Sequence, residues 1–292
     1  MQRRAAPPLH APKVHSPPLT ALDTLPVRYH GGDYRLIEGD ALDMLARLPP
    51  RSVDLIFADP PYNLSNGGTT CQAGRRVAVD KGEWDASRGL GADHDFNRRW
   101  LAACQRVLKP SGTMWVSGTQ HVIYSIGFAM QELGFHLLNT VTWFKPNASP
   151  NLACRFFTHS TEILIWAGPS RQKPLAHTFH YPEMKAQNGG KQMRDLWELT
   201  DDEQGIVWRL PVPAKSEKRE GRHPTQKPIA LLDRVITASS SPGDLVLDPF
   251  CGSGTTGVVS LMRGRRFVGL DLDPGYLDLA ARRIDAVLRR ER

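Results

Sequence analysis

Cysteine is scarce in this chain. There are four in 292 residues, Cys71, Cys104, Cys154 and Cys251, and no two stand in CxxC spacing. That excludes a disulfide framework and the common zinc sites, and it fits a reducing cytoplasm. The ten histidines show no metal spacing such as HExxH, so no metal site is expected. Long apolar runs are missing too, and none approaches the roughly 20 residues that cross a bilayer. The first residues, "MQRRAAPPLHAPKVHSPPL", carry arginines without an apolar segment behind them. They do not read as a secretory signal, and their prolines predict a loosely draped arm over residues 1–28.

What is present is a chain that is 40% apolar, enough to build a core, with a formal charge of +7. A positive balance favours polyanions such as nucleic acid. Strand-like and helix-like patterns alternate almost throughout. "YRLIEGD" (Tyr34–Asp40), "VDLIFA", "GTMWVSG", "LLNTVTWF", "STEILIWA", "DLVLD" and "RFVGLD" read as strands. "ALDMLARL", "HDFNRRWLAACQRVLK", "HVIYSIGFAMQELG", "PIALLDRVITAS", "GTTGVVSLMRG" and "PGYLDLAARRIDAVLRR" read as helices. This order predicts an α/β fold with a mostly parallel sheet. Residues 63–93 are polar and glycine-rich and predict a mobile loop. Between 169 and 221 the periodicity fades over a stretch too long for an ordinary loop, which predicts an inserted recognition region.

Two strand ends carry chemistry. "VDLIFADPPY" stops at Asp59, Pro60, Pro61 and Tyr62. Prolines cannot continue a sheet, and their fixed φ makes the turn stiff. "DLVLDPFCGSGTTG" ends a strand at Asp248 and passes through Phe250, Gly252 and Gly254 into a helix. About 20 residues later the next strand ends at Asp271, placed to hold the hydroxyls of a ribose. Gly252, Gly254 and Gly257 also satisfy the GxGxxG dinucleotide spacing. A nicotinamide site would leave the DPPY tip without a task.

Together, "DPPY", "HPTQKP" (His223–Pro228), "DPFCGSGTT", "GEWD" and "KPNASPNLACRFFTHSTEILIWA" resemble the S-adenosylmethionine-dependent DNA amino-methyltransferases. The order, DPPY before the cofactor half, is that of their circularly permuted beta group, in restriction-modification adenine enzymes. The resemblance covers roughly residues 34–285. It implies a Rossmann-like methyltransferase sheet split into a catalytic half (29–168), a target-recognition region (169–221) and a cofactor half (222–292). It implies that Asp59 and the Pro60 carbonyl accept the two N–H groups of a flipped-out adenine while Tyr62 stacks on the base. Asp248, Phe250, Gly252 and Gly254 would line the methionine end of S-adenosyl-L-methionine. Asp271 would hold the ribose and Asp40 would face the adenine moiety, with an N-cap as its rival role. Thr225 and Lys227 would close the pocket near the carboxylate. Double-stranded DNA is the implied partner, and a homodimer and a cognate restriction endonuclease stay open. So do N4-cytosine as the target, RNA or protein glutamine as substrate, and a non-catalytic DNA-binding subunit.

Overall fold

The computed structural model describes residues 16–65, 69–72, 75–78, 82–148, 150–152, 154–171, 176–198, 217, 220, 221, 223 and 225–289. Along the chain run β1 (Val27–His30), β2 (Tyr34–Glu38), α1 (Ala41–Arg47), β3 (Val53–Ala58), β4 (Thr69–Gln72), β5 (Arg75–Ala78), α2 (Leu90–Val107), β6 (Leu108–Gly118) and α3 (Ile123–Glu132). Then come β7 (His136–Phe144), β8 (Thr161–Gly168), α4 (Tyr181–Gln187), β9 (Leu196–Glu198), α5 (Ile229–Ser239), β10 (Leu245–Asp248), α6 (Thr255–Met262), β11 (Arg266–Asp271) and α7 (Pro274–Leu288). Among the described residues, nine strands share one sheet in the order β1-β2-β11-β10-β3-β6-β8-β7-β9. The five from β2 to β6 are mutually parallel. At the borders, β1 and β8 run antiparallel to their neighbours.

The buried strands account for the layering. Along β3, Ile56 and Ala58 point into one apolar cluster with Trp100 and Leu101 of α2. Leu55 and Phe57 point into the opposite cluster with Leu231 of α5 and Val258 of α6. Side chains alternate across a strand, so a sheet covered on both faces needs an unbroken apolar run. Truncating Ile56, which is fully buried, to alanine would cost about 2–5 kcal/mol. From β3 the chain crosses through α2 to β6 on one side. From β10 it crosses through α6 to β11 on the other. The strand order therefore reverses between β3 and β10, and a crevice opens at their carboxyl ends.

Several expectations need correction. The arm is packed from Ser16 onward. Leu19, Leu22 and Leu25 join the core, and the Ser16 hydroxyl donates to Asp54 Oδ2 at 2.7 Å. Residues 1–15 lie outside the described residues. The 63–93 stretch contains the β4–β5 hairpin, and α2 starts at Leu90, four residues before the expected His94. Pro110 lies inside β6 rather than simply ending a helix. It falls where the register against β3 slips between Val53 and Leu55, a place where no ladder bond is needed. Pro228 is the N-cap of α5 rather than its first residue. In the 169–221 stretch, α4 and β9 are regular, and β9 pairs with β7 at the edge of the main sheet. No helix among the described residues is long and apolar enough to cross a membrane.

Candidate active site

The crevice is a cavity of about 620 Å³. Its floor is the pair of adjacent strand tips. β3 and β10 run in parallel, with Leu247 beside Ile56, so Asp59-Pro60 and Asp248-Pro249 leave the sheet side by side. Every residue assigned from the sequence lines this one cavity except Gly254, which sits just behind it.

Asp59 is the centre of a buried polar network. Its Oδ1 accepts from the Tyr62 hydroxyl and the Ser117 hydroxyl, each at 2.6 Å. Its Oδ2 accepts from Lys227 Nζ at 2.6 Å. Glu162, near the start of β8, lies behind this group. Its Oε2 is 3.2 Å from the Tyr62 hydroxyl and 3.6 Å from Lys227 Nζ, and its Oε1 accepts from Lys145 Nζ at 2.8 Å. Burial works against charge on Glu162, but Lys227 and Lys145 win and hold its carboxyl down at about 2. Burial also opposes charge on Lys227, and Asp59 and Glu162 overcome it, leaving the ammonium above the ordinary lysine value. Burial, then Asp59 and Glu162, push the Tyr62 phenol well up, so it remains a donor. Two lysines thus balance two acids, which is the condition for burying such charges at all.

The DPPY turn is held from outside by Asp85. Its Oδ1 accepts the backbone N–H groups of Tyr62 and Asn63 at 2.8 and 2.9 Å. Its Oδ2 accepts from Leu64 N at 3.0 Å and the Ser65 hydroxyl at 3.1 Å. This is the acid of "GEWD", buried at 1% exposure. Three backbone donors on one carboxylate make a fixed anchor for the turn.

At the other tip, Asp248 faces inward. It accepts from Phe250 N at 3.0 Å and from the Thr256 hydroxyl at 2.6 Å. Burial pushes its carboxyl up to about 7. Phe250 meets the Trp100 ring edge-on at 5.3 Å. Gly252 and Gly254 have φ of +49° and +71°, a region that favours glycine, and a Cβ on Gly254 would lie 2.6 Å from Ala280 Cβ. A Cβ on Gly257 would lie 2.5 Å from the Phe267 ring, so this glycine lets α6 close on β11. Asp271 receives Gly252 N at 2.7 Å and Asp273 N at 2.9 Å. Leu272 N also donates to this carboxylate, which lines the cavity.

The sequence-assigned residues converge, and three of them also make contacts within the protein. Asp40 caps α1, accepting from Leu42 N at 2.8 Å, and stands exposed at the rim. Lys227 lines the cavity with its Nζ on Asp59 Oδ2. Tyr62 is almost wholly buried, with its hydroxyl on Asp59, so it is part of the acid's support. Missed by sequence reasoning as individual residues were Ser117, Glu162, Lys145, Asp85 and His223. His223 lines the cavity and meets Tyr276 edge-on at 4.3 Å. Three of the five stand inside motifs that carry the resemblance, and Lys145 opens one of them. Ser117, in a plain apolar strand, carries no such signal.

Known proteins share this arrangement. The DNA methylase family of N6 and N4 amino-methyltransferases matches residues 53–282. The Type II methyltransferase M2.DpnII of Streptococcus pneumoniae is 47% identical over 258 residues, covering 88% of this chain and 92% of its own. M2.MboI of Moraxella bovis is 41% identical, covering 89% and 91%. Among solved structures, an M1.HpyAVI–SAM complex is 26% identical with a TM-score of 0.61, covering 86% of this chain and 99% of its own. The cytosine-N4-specific PvuII DNA methyltransferase, at 19% identity and a TM-score of 0.67, covers 91% and 95% and shares the fold. With two Asp-Pro strand tips opening on one cavity, in the order that the family carries them, the chain belongs to the DNA methylase family.

Proposed function

We propose that this enzyme methylates the exocyclic N6 amine of adenine in double-stranded DNA, with S-adenosylmethionine as methyl donor. The observation that carries the reading is the side-by-side exit of Asp59-Pro60 and Asp248-Pro249 into one cavity. The cavity's lining joins two strand tips: Asp271, Leu272, Asp273 and Tyr276 follow β11, Asp59 to Tyr62 follow β3, and β10 lies between them. The Asp271 carboxylate suits a ribose diol, and the positive-φ glycine turn brings backbone close to a ligand's tail. When bound there, the cofactor supplies an electrophilic methyl group.

The chain's own residues act on the target amine. That nitrogen is a poor nucleophile because its lone pair is delocalised into the ring. A carboxylate offers about four acceptor positions, and Tyr62, Ser117 and Lys227 take three of those on Asp59. The position left, on Oδ2, suits one N–H of the target. The Pro60 carbonyl, fixed by the stiff Pro-Pro turn, suits the other. Acceptors set in advance stabilise the positive charge that grows on nitrogen as the new bond forms. Asp85 keeps them in place, since a turn that drifts by an ångström loses much of this alignment. The base must leave the duplex to reach the cavity, at a cost of a few kcal/mol that contacts to DNA repay. Within the same reading, residues 169–221 carry base recognition, and the Type II naming of the relatives supports a cognate restriction endonuclease in the same cytoplasm.

The test is direct. Plasmid DNA incubated with enzyme and cofactor is digested to nucleosides and read by mass spectrometry. N6-methyldeoxyadenosine is expected. Exclusive N4-methyldeoxycytidine would overturn the target, and no methylated nucleoside at all would overturn the activity.

A further inference from the structure

We propose that Phe157 is a wedge that enters the base stack of duplex DNA at the gap left by the extruded target. The inference rests on the methylation reading above and adds a residue to it. It starts from an anomaly of exposure. The connection between β7 and β8 presents three large apolar side chains to solvent: Leu152 at 48%, Phe156 at 59% and Phe157 at 97% exposure. A single exposed apolar residue is ordinary, but a cluster on one loop beside a catalytic site marks a contact surface. Burying a phenylalanine is worth about 1.5–3 kcal/mol, and the fold leaves that of Phe157 unused.

Position identifies the occupant. β7 runs antiparallel to β8, and β8 antiparallel to β6. The end of β7 and the start of β8 therefore lie at the same carboxyl edge as Asp59. The link to the site is short. Lys145 N donates to Ser160 O at 2.7 Å at the base of the connection. The side chains of Lys145 and Glu162 join there and reach the Tyr62 hydroxyl. Phe157 is only five residues from Glu162, at most about 18 Å of chain.

The described residues of the loop are also braced. Asn151 Nδ2 donates to Phe156 O at 2.7 Å, and the Phe156 ring lies 5.3 Å from that of His159. His159 in turn meets Gln120, just after β6, at 3.3 Å. Arg155, exposed on the same loop, adds a positive charge suited to a phosphate. An exposed aromatic side chain on a braced loop, with a cation beside it and at the same sheet edge as a site that must extract a base, matches the apolar side chains that DNA-bending proteins insert between base steps. Once the target has left, the ring fills its place and slows its return.

The experiment uses full-length enzyme and the site it methylates on a plasmid, mapped by sequencing. Two duplex oligonucleotides carry that site, one with the target normally paired and one with it mispaired. Mispairing lowers the cost of extrusion and so the need for a wedge. Phe157→Ala should lose at least tenfold in kcat/KM on the paired duplex and stay within threefold of wild type on the mispaired one. Phe157→Trp should keep most activity on both. An equal loss on both duplexes, or no loss on either, overturns the proposal. So does a Phe157→Ala protein that sediments as a smaller species than wild type, since the patch is then an interface between copies of the chain. Failure of the wild type to methylate any plasmid DNA would sink the parent reading instead, and is seen before the variants are compared.

Discussion

The same dipeptide ends two neighbouring strands and has two different fates. Asp59-Pro60 follows β3, and Asp248-Pro249 follows β10. Both acids stand at the carboxyl edge of a parallel sheet, where ligands gather. Asp59 meets a lysine and two hydroxyls. Asp248 meets one hydroxyl and one backbone N–H, and burial raises its carboxyl to about 7. Neighbours set the difference. Lys227 and Ser117 come from distant parts of the chain and fill most of the acceptor positions of one tip. The other tip, short of such partners, braces the turn that the cofactor half is built on.

The strongest way to break that contrast is to remove Asp59. Asp59→Ala should lower methyl transfer by at least about a thousandfold, because it deletes an acceptor aimed at developing charge. Cofactor affinity should change little, since the ribose-side acid Asp271 ends β11, two strands away from β3. Asp271→Ala should do the reverse and weaken cofactor binding at least about tenfold, as expected when a charged hydrogen-bond acceptor is lost. Tritium transfer to DNA and titration calorimetry read the two effects separately. An Asp59→Ala enzyme within tenfold of wild type would show that the two tips are not specialised.

Much of this was legible in the sequence, and the limits are physical. β3 matches its expected span of Val53–Ala58, because a strand buried on both faces must be apolar at every position that packs. Both acids at the tips were legible because proline forces the chain out of the sheet there, and a carboxylate at such an edge is costly unless partners or a ligand meet it. The edge strands were not. β1 and β9 are short, and β1 is only half covered, so neither needs a recognisable pattern. Asp40 was ambiguous for the opposite reason, since the residue type that would meet a nucleoside is also the preferred helix cap. Ser117 acts through a contact with the tip of the neighbouring strand, and nothing local to its sequence reports a distance.

A milder perturbation sharpens the comparison by loosening one tip without touching its acid. Asp85 holds four donors of the DPPY stretch from a buried position. Asp85→Ala strands three backbone N–H groups, which should cost about 2–4 kcal/mol of stability. Transfer should fall with it, through kcat more than through cofactor affinity, because the turn and not the glycine loop is released. Chemical denaturation and the kcat-to-KM split check this. Unchanged stability would mean that the turn is self-supporting through its prolines.

The smallest effect concerns the second tip and its proton. Asp248 has an ordinary value of 3.8 and is pushed by burial to about 7 in the folded chain. The folded protein therefore holds a proton there at pH values where the unfolded chain has released it. Stability from this group is present in full below about pH 4 and is lost as pH rises toward and through 7. Asp248→Asn keeps an acceptor for Phe250 N and a partner for Thr256, but cannot ionise. On moving from pH 5 to pH 8, wild type should lose more stability than Asp248→Asn, by a difference on the order of 1–3 kcal/mol. Other titrating groups are common to both proteins and cancel in that difference. Denaturation midpoints at the two pH values measure it, and equal losses in the two proteins would place a charged Asp248 at both pH values, so that burial would not set this tip apart.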